Sequence, residues 1–190
     1  RSFDFSQVEA LQHQGRWDNL GQMLADAARR LESAGADCLL LCTNTMHCLA
    51  PAIEQAVAVP LLHIADPTGN ALRAAGHVRV GLLGTAFTME QDFYRGRLAD
   101  RHGLDVIVPE AEDRAAVHRI IYKELVAGTI NPASRETFQG VIARLVDRGA
   151  EAVILGCTEI MLLVGPADSS VPLFDTTRLH AGAGIAAALA

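Results

Sequence analysis

One stretch of this 190-residue chain occurs twice, and that repetition restricts the fold more than any single motif does. Arg30-Leu31, Gly35-Ala36-Asp37 and Leu39-Leu40-Leu41 return as Arg144-Leu145, Gly149-Ala150-Glu151 and Val153-Ile154-Leu155. The first copy runs on into Cys42-Thr43. The second reaches Cys157-Thr158 after one inserted residue, Gly156. Val59-Pro60-Leu61-Leu62 then returns as Val171-Pro172-Leu173-Phe174. A helix end, a Gly-Ala-acid turn, an apolar run, a Cys-Thr pair and a Val-Pro-Leu strand thus follow in one order twice. A further strand and helix precede the second copy. The first has no counterpart for them, roughly 35 residues, ahead of Arg1, so the first unit is expected to lack an N-terminal strand and helix.

The intervening pattern predicts an α/β chain. Wholly apolar runs such as Cys38-Leu39-Leu40-Leu41 and Ala152 to Leu155 suit strands buried on both faces of a parallel sheet. Further strands are expected at Leu61 to Ile64, Val78 to Leu83, Asp105 to Val108 and Leu173-Phe174. Between them fall helical patterns, among them Trp17, Leu20, Leu24, Ala27 and Leu31 on one face, stopped by Gly35. Ser6-Gln7-Val8-Glu9 and Thr88-Met89-Glu90-Gln91 have the form of capping boxes, the second opening a helix to about His102. Asp66-Pro67 reads as an N-cap followed by proline, and Asn131-Pro132 opens a helix to Asp147. Alternating strands and helices predict two Rossmann-like parallel-sheet lobes related by a pseudo-two-fold axis, with a site in the cleft between them. Residues 1–76 with 175–190 make the first lobe, and residues 77–174 the second.

Composition narrows the function. Half the residues are hydrophobic and the net charge is −6, so the basic footprint of a nucleic-acid binder is missing. No apolar run approaches the roughly 18 residues of a membrane-spanning helix, and no signal-peptide pattern follows Arg1. Four cysteines in a chain of this length read as free thiols in a reducing cytoplasm. Gly81-Leu82-Leu83-Gly84 is not a dinucleotide fingerprint. The single lysine, Lys123, sits in an amphipathic helix and reads as solvated, which disfavours pyridoxal phosphate. Cys42, His47 and Cys48 do not have zinc-ligand spacing. No cofactor and no metal are expected.

Ligands of parallel sheets bind at the carboxyl ends of the strands, where Cys42 and Cys157 both fall. Each precedes a helix start, whose dipole favours a thiolate. Two thiols on opposite walls of one cleft are what inversion at carbon needs: one removes the α-proton, the other supplies a proton to the opposite face. Thr43, Asn44, Thr45, Thr85 and Thr158, with neighbouring backbone amides, are suited to hold a carboxylate and stabilise the developing charge. Cys38 and Cys48 lack repeat partners and read as structural. His47 and His63 read as site-lining or structural, and Glu159 also fits a plain helix-start carboxylate.

At these residues the chain resembles the aspartate/glutamate racemase family. The resemblance rests on Cys42-Thr43-Asn44-Thr45-Met46-His47, His63-Ile64-Ala65-Asp66, Gly84-Thr85 and Gly156-Cys157-Thr158-Glu159, and extends over essentially the whole chain. It looks closest to the aspartate-racemase and broad-specificity branch. It implies cofactor-independent two-base racemisation, with Cys42 and Cys157 catalytic and Thr43, Asn44, Thr45, Thr85, Thr158 and Glu159 around the substrate. Glutamate racemases typically carry histidine after the second Cys-Thr, where this chain has Glu159. The substrate expected is aspartate or a related amino acid, and a homodimer is what the resemblance suggests. Hydantoin racemases, maleate isomerases and arylmalonate decarboxylases resemble the same architecture. A non-catalytic amino-acid-binding module and a Cys–His hydrolase are the alternatives outside isomerisation.

Overall fold

The computed structural model describes all 190 residues. The strands form two parallel sheets. In the first, β1 (Leu39–Leu40) pairs with β2 (Leu61–Leu62). The second has the order β4-β3-β5-β6, built from β3 (Arg79–Gly84), β4 (Asp105–Ile107), β5 (Ala152–Gly156) and β6 (Leu173–Asp175). All its pairings are parallel. Helices connect successive strands, as a parallel pairing requires. They are α1 (Phe5–His13), α2 (Trp17–Ser33), α3 (Ala50–Glu54), α4 (Ala65–Ala74), α5 (Ala86–Glu90), α6 (Asp92–His102), α7 (Ala111–Lys123), α8 (Pro132–Asp147), α9 (Ile160–Leu163) and α10 (Thr176–Ala188).

The two copies of the repeat fold alike, down to single hydrogen bonds. Helix α2 closes at Gly35 (φ +91°) and α8 at Gly149 (φ +92°). Gly35 N–H donates to Glu32 O and Ala36 N–H to Leu31 O; Gly149 N–H donates to Val146 O and Ala150 N–H to Leu145 O. This double bond pattern needs a left-handed residue, which glycine adopts without a Cβ penalty. The strands that follow also match. Leu39 pairs with Leu61 and Val153 with Leu173, and both Leu39 and Val153 take the proline carbonyl before the partner strand at 2.9 Å.

Strand alternation explains the core. Val80, Leu82, Ala152 and Ile154 face α4 and α6, where they meet Leu72, Tyr94 and Leu98. Leu83, Val153 and Leu155 face the other way, into Val117, Ile121, Phe138, Ile142 and Leu145 of α7 and α8. Both faces of this sheet are therefore buried, which is why β3 and β5 lack polar residues after Arg79. Beneath the first sheet, Leu39 packs on Leu20, Leu24 and Ala28 of α2.

Three helix starts differ from the sequence reading. Helix α1 is capped by Asp4, whose Oδ1 accepts from both Ser6 N–H (3.0 Å) and Ser6 Oγ (2.7 Å), so a charged acceptor replaces Ser6 as the cap. The helix at Thr88 is broken in two by extended Gln91, the residue that was to close the box; Thr85 caps α5 instead, its Oγ1 accepting from Thr88 N–H (3.3 Å). Asp66 lies inside the first turn of α4 and grips Arg97 of α6 through two hydrogen bonds of 2.6 Å. Helix α7 ends at Lys123, and a 3-10 turn (Leu125–Ala127) carries the chain to Gly128.

Candidate active site

The carboxyl ends of β1, β3 and β5 converge on one cavity. From the segment after β1 come Thr43, Asn44 and Thr45. Thr85 follows β3, and Cys157, Thr158 and Glu159 follow β5. Gly84 and Gly156 let the last two strands close up at this point. A Cβ on Gly84 would stand 2.9 Å from Gly156 O, and one on Gly156 would stand 2.8 Å from Leu83 O. The residue inserted into the second copy thus serves a backbone approach that only glycine allows.

Hydroxyls tie the two sheets together here. Thr45 Oγ1 lies 2.9 Å from Thr85 Oγ1 and 3.2 Å from Thr88 Oγ1, and those two are 3.3 Å apart. Asn44 is 2% exposed. Its Nδ2 donates to Thr176 Oγ1 (3.1 Å), which spends its own proton on Leu155 O (2.8 Å). That chain fixes the amide orientation, because Thr176 can only accept from Asn44. Asn44 Oδ1 is then a buried acceptor with no partner, on a residue that lines the cavity.

A buried histidine pins the same segment. His47 Nδ1 is 2.7 Å from Thr43 O, an acceptor, so Nδ1 carries the proton. Its Nε2 accepts from Ile64 N–H at 3.2 Å. The ring also packs on His63, with centroids 4.3 Å apart. Burial lowers the pKa of His47 to about 4, and burial with the neighbouring His47 lowers His63 further still. Both stay neutral at ordinary pH, which the two-way bonding of His47 requires.

The two cysteines have different surroundings. Cys157 is 9% exposed, on the cavity wall, with Sγ 2.9 Å from Glu159 Oε2. Burial, and then the Glu159 carboxylate, push its thiol well above the usual cysteine range. The sequence led us to expect a helix dipole lowering that pKa. The backbone N–H groups of Thr158 and Glu159 do act that way, but burial outweighs them and α9 has only four residues. Cys42 is exposed and lines a separate, mostly apolar groove between α2 and β1, and Thr43 stands on the wall of both spaces. Thr43 N–H donates to Leu41 O (2.8 Å), a γ-turn centred on Cys42, and Cys42 Sγ lies 4.0 Å from Leu40 O. That turn sends Thr43 to the cavity and Cys42 back along the strand. The expected pair of sulfurs on one shared cavity is therefore not what this geometry holds.

Five further wall residues, Ile121 of α7 among them, were not singled out for the site by the sequence. Phe5 and Gln12 come from α1, Tyr122 from α7 and Val126 from the turn beyond it. Tyr122 Oη donates to Gln12 Oε1 (3.0 Å), and Gln12 Nε2 reaches Met46 Sδ (3.1 Å), so α1 is bound across the cavity to α7. Only Gln12 left a sequence signal: it occupies the helical stripe begun by Phe5 and Val8, where a polar residue is out of place.

Two parallel sheets, with cavity walls built from the carboxyl ends of their strands and Cys-Thr-Glu on one side, its cysteine buried, define a two-lobed α/β enzyme fold of the racemase type. A family model described as Asp/Glu/Hydantoin racemase matches residues 1–184, and the chain belongs to that family. It is 26% identical over 176 residues to the broad specificity amino-acid racemase RacX of Bacillus subtilis (strain 168), covering 91% of this chain and 74% of that protein. A crystal structure described as a candidate Asp/Glu racemase from Yersinia pestis is 50% identical, with TM-score 0.91, over 100% of this chain and 82% of that one. An aspartate racemase homologue, PH1733 from Pyrococcus horikoshii OT3, is 34% identical with TM-score 0.84, at the same coverage of 100% and 82%. No helix is long and apolar enough to cross a membrane.

Proposed function

We propose that the chain is an isomerase that racemises an α-amino acid without a cofactor, in the aspartate, glutamate or broad-specificity range that the descriptions of its relatives span. The observation that carries the reading is the cavity itself: Cys157, four threonines and Asn44, whose Oδ1 is unanswered, line it together. Asn44 Oδ1 accepts from the substrate ammonium. Thr43, Thr85 and Thr158, with the amides beside them, hold the carboxylate and the charge that spreads into it as the α-carbon becomes planar. Cys157 is the resident acid: its S–H delivers a proton to one face of the carbanion, and Cys42 as thiolate takes the α-proton from the other. In the reverse direction the roles exchange, and Glu159 is placed to hold the Cys157 proton. The scheme requires the Cys42 thiol to turn from its own groove towards the cavity, which that groove adjoins at Thr43. The four free thiols fit a reducing compartment such as the cytoplasm. A homodimer is proposed on the family resemblance alone.

Cys42→Ser and Cys157→Ser are each expected to lower kcat by at least about a thousandfold, read by circular dichroism on a pure enantiomer. Either variant keeping wild-type turnover would sink the two-base scheme. A second reading has one observation in its favour, namely that Cys157 alone lines the cavity. A one-cysteine decarboxylase of the same architecture would tolerate Cys42→Ser and release carbon dioxide from an arylmalonate.

A further inference from the structure

We infer that His118 is a positioning residue for the proposed racemisation: its neutral imidazole holds the Thr85 segment against the cavity, and taking up a proton releases that segment and sets the acid limit of turnover. The inference rests on the racemase reading and adds to it a residue from outside the set that lines the cavity. His118 stands in α7, next to the fully buried Val117, and its Nδ1 accepts from Ala86 N–H at 3.1 Å. A backbone amide can only donate, so Nδ1 carries no proton and the ring is the neutral Nε2–H tautomer. Ala86 is the first residue of α5 and follows Thr85, the cap of that helix. The first N–H groups of a helix have no partner within it, and His118 supplies one.

Thr85 is thereby held from two sides. Ahead of it Gly84 lies close against Gly156, and after it comes the bond to His118. Held so, Thr85 lines the cavity with its Oγ1 2.9 Å from Thr45 Oγ1. A proton on Nδ1 turns the acceptor into a second donor aimed at Ala86 N–H. The attraction becomes a repulsion, and the peptide that joins Thr85 to Ala86 loses its hold. The groups facing the ring decide when this happens. On α7 itself they are Tyr122, with ring centroids 4.7 Å apart, and Arg114, one turn back and engaged by Glu90 at 2.9 Å. Helix α5 contributes Glu90 and the Phe87 ring at 6.1 Å, and α1 contributes His13. Burial and then His13 lower the pKa of His118, against a smaller opposite pull from Glu90, so the ring is neutral at pH 7 and charges only in acid.

The test compares two variants. His118→Asn can place Oδ1 where Nδ1 accepts and does not titrate, whereas the longer side chain of His118→Gln carries its amide past that point. α-Hydrogen exchange in deuterated water is followed by NMR for L-aspartate, L-glutamate and L-methionine from pH 5 to 8, per folded molecule as read by circular dichroism. His118→Asn is expected to stay within about threefold of the wild type at pH 7.5 and to outpace it by about threefold or more at pH 5. His118→Gln is expected to lose about tenfold in kcat/KM at pH 7.5. Acid limbs that superimpose in the wild type and His118→Asn, or equal losses in the two variants, overturn the inference. A second arm needs no turnover: in proton–nitrogen NMR spectra of the wild type, the Ala86 amide should shift in step with the His118 ring as pH falls. An amide indifferent to that titration overturns the inference too. Exchange of none of the three amino acids removes the racemase reading, while an amide that follows the ring keeps the hold on Thr85 standing.

Discussion

Asn44 is buried, yet one of its two polar ends is unanswered. A lone buried acceptor is costly, on the order of 1–3 kcal/mol, and a binding site is where such a cost is recovered when ligand arrives. Asn44→Ala removes both the acceptor and the hydrogen bond to Thr176. It should raise KM, or the Kd for an amino acid, by tenfold or more while costing only about 1 kcal/mol of stability, because the unsatisfied oxygen goes too. Kinetics combined with thermal unfolding separates the two effects. Unchanged affinity in Asn44→Ala would show that the ammonium binds elsewhere. The residue types around the cavity were legible in the sequence, since Thr43, Asn44, Thr45, Thr85, Thr158 and Glu159 all stand on its wall. The direction of Cys42 was not. It depends on a γ-turn that Cys-Thr does not encode by composition, and the repeat gave no warning because the second copy carries Gly156 at that point.

At the level of elements, the segment after β1 depends on His47. Asparagine can keep the donor at the Nδ1 position, and glutamine the acceptor at Nε2. His47→Asn should therefore retain the hold on Thr43 O and most of the turnover. His47→Gln should keep the bond from Ile64 and lose at least tenfold in kcat. Equal losses in both, with activity per folded molecule unchanged, would mean that the ring only fills space. The Gly35 and Gly149 turns make a plainer case. Gly149→Ala forces a Cβ into φ +92° and should destabilise by about 1 kcal/mol or more, measured by denaturant unfolding. These turns were readable because glycine after a helix is a local signal. The link from α1 to α7 was not, because Gln12 and Tyr122 lie 110 residues apart and meet only through the fold. The break at Gln91 was missed because Thr88, read as the cap, lies inside α5, with its N–H answered by Thr85 Oγ1 and its hydroxyl beside that of Thr45 from the other sheet.

Across the whole molecule, acid should unfold the protein through its buried histidines. In the folded state His47 titrates at about 4 and His63 lower; unfolded, both titrate near 6.5. Between those values the unfolded chain binds the extra protons, so stability falls as pH falls from about 6.5 towards 4, by about 1.4 kcal/mol per pH unit per histidine. Asp66 adds a later loss. Burial alone would raise its carboxyl, but the hydrogen bonds and charge of Arg97 outweigh that and hold it below the ordinary range. Its contribution is present above the unfolded aspartate pKa and fades as pH drops through the lowered value. Urea midpoints at pH 7, 5.5 and 4.5 should decrease in that order. A flat series would show that the histidines are solvated.

The single glycine that separates the two copies has a kinetic consequence. It leaves one sulfur enclosed beside a carboxylate and the other open to solvent, so under the proposed two-base scheme the two mirror-image directions of proton transfer would start from unlike groups. Enantiomers have equal free energies in water, and their equilibrium constant is one. The Haldane relation then obliges kcat/KM to be the same for both hands, however lopsided the machinery. The imbalance can surface only as compensating differences in kcat and KM, with the hand that binds more tightly turning over more slowly.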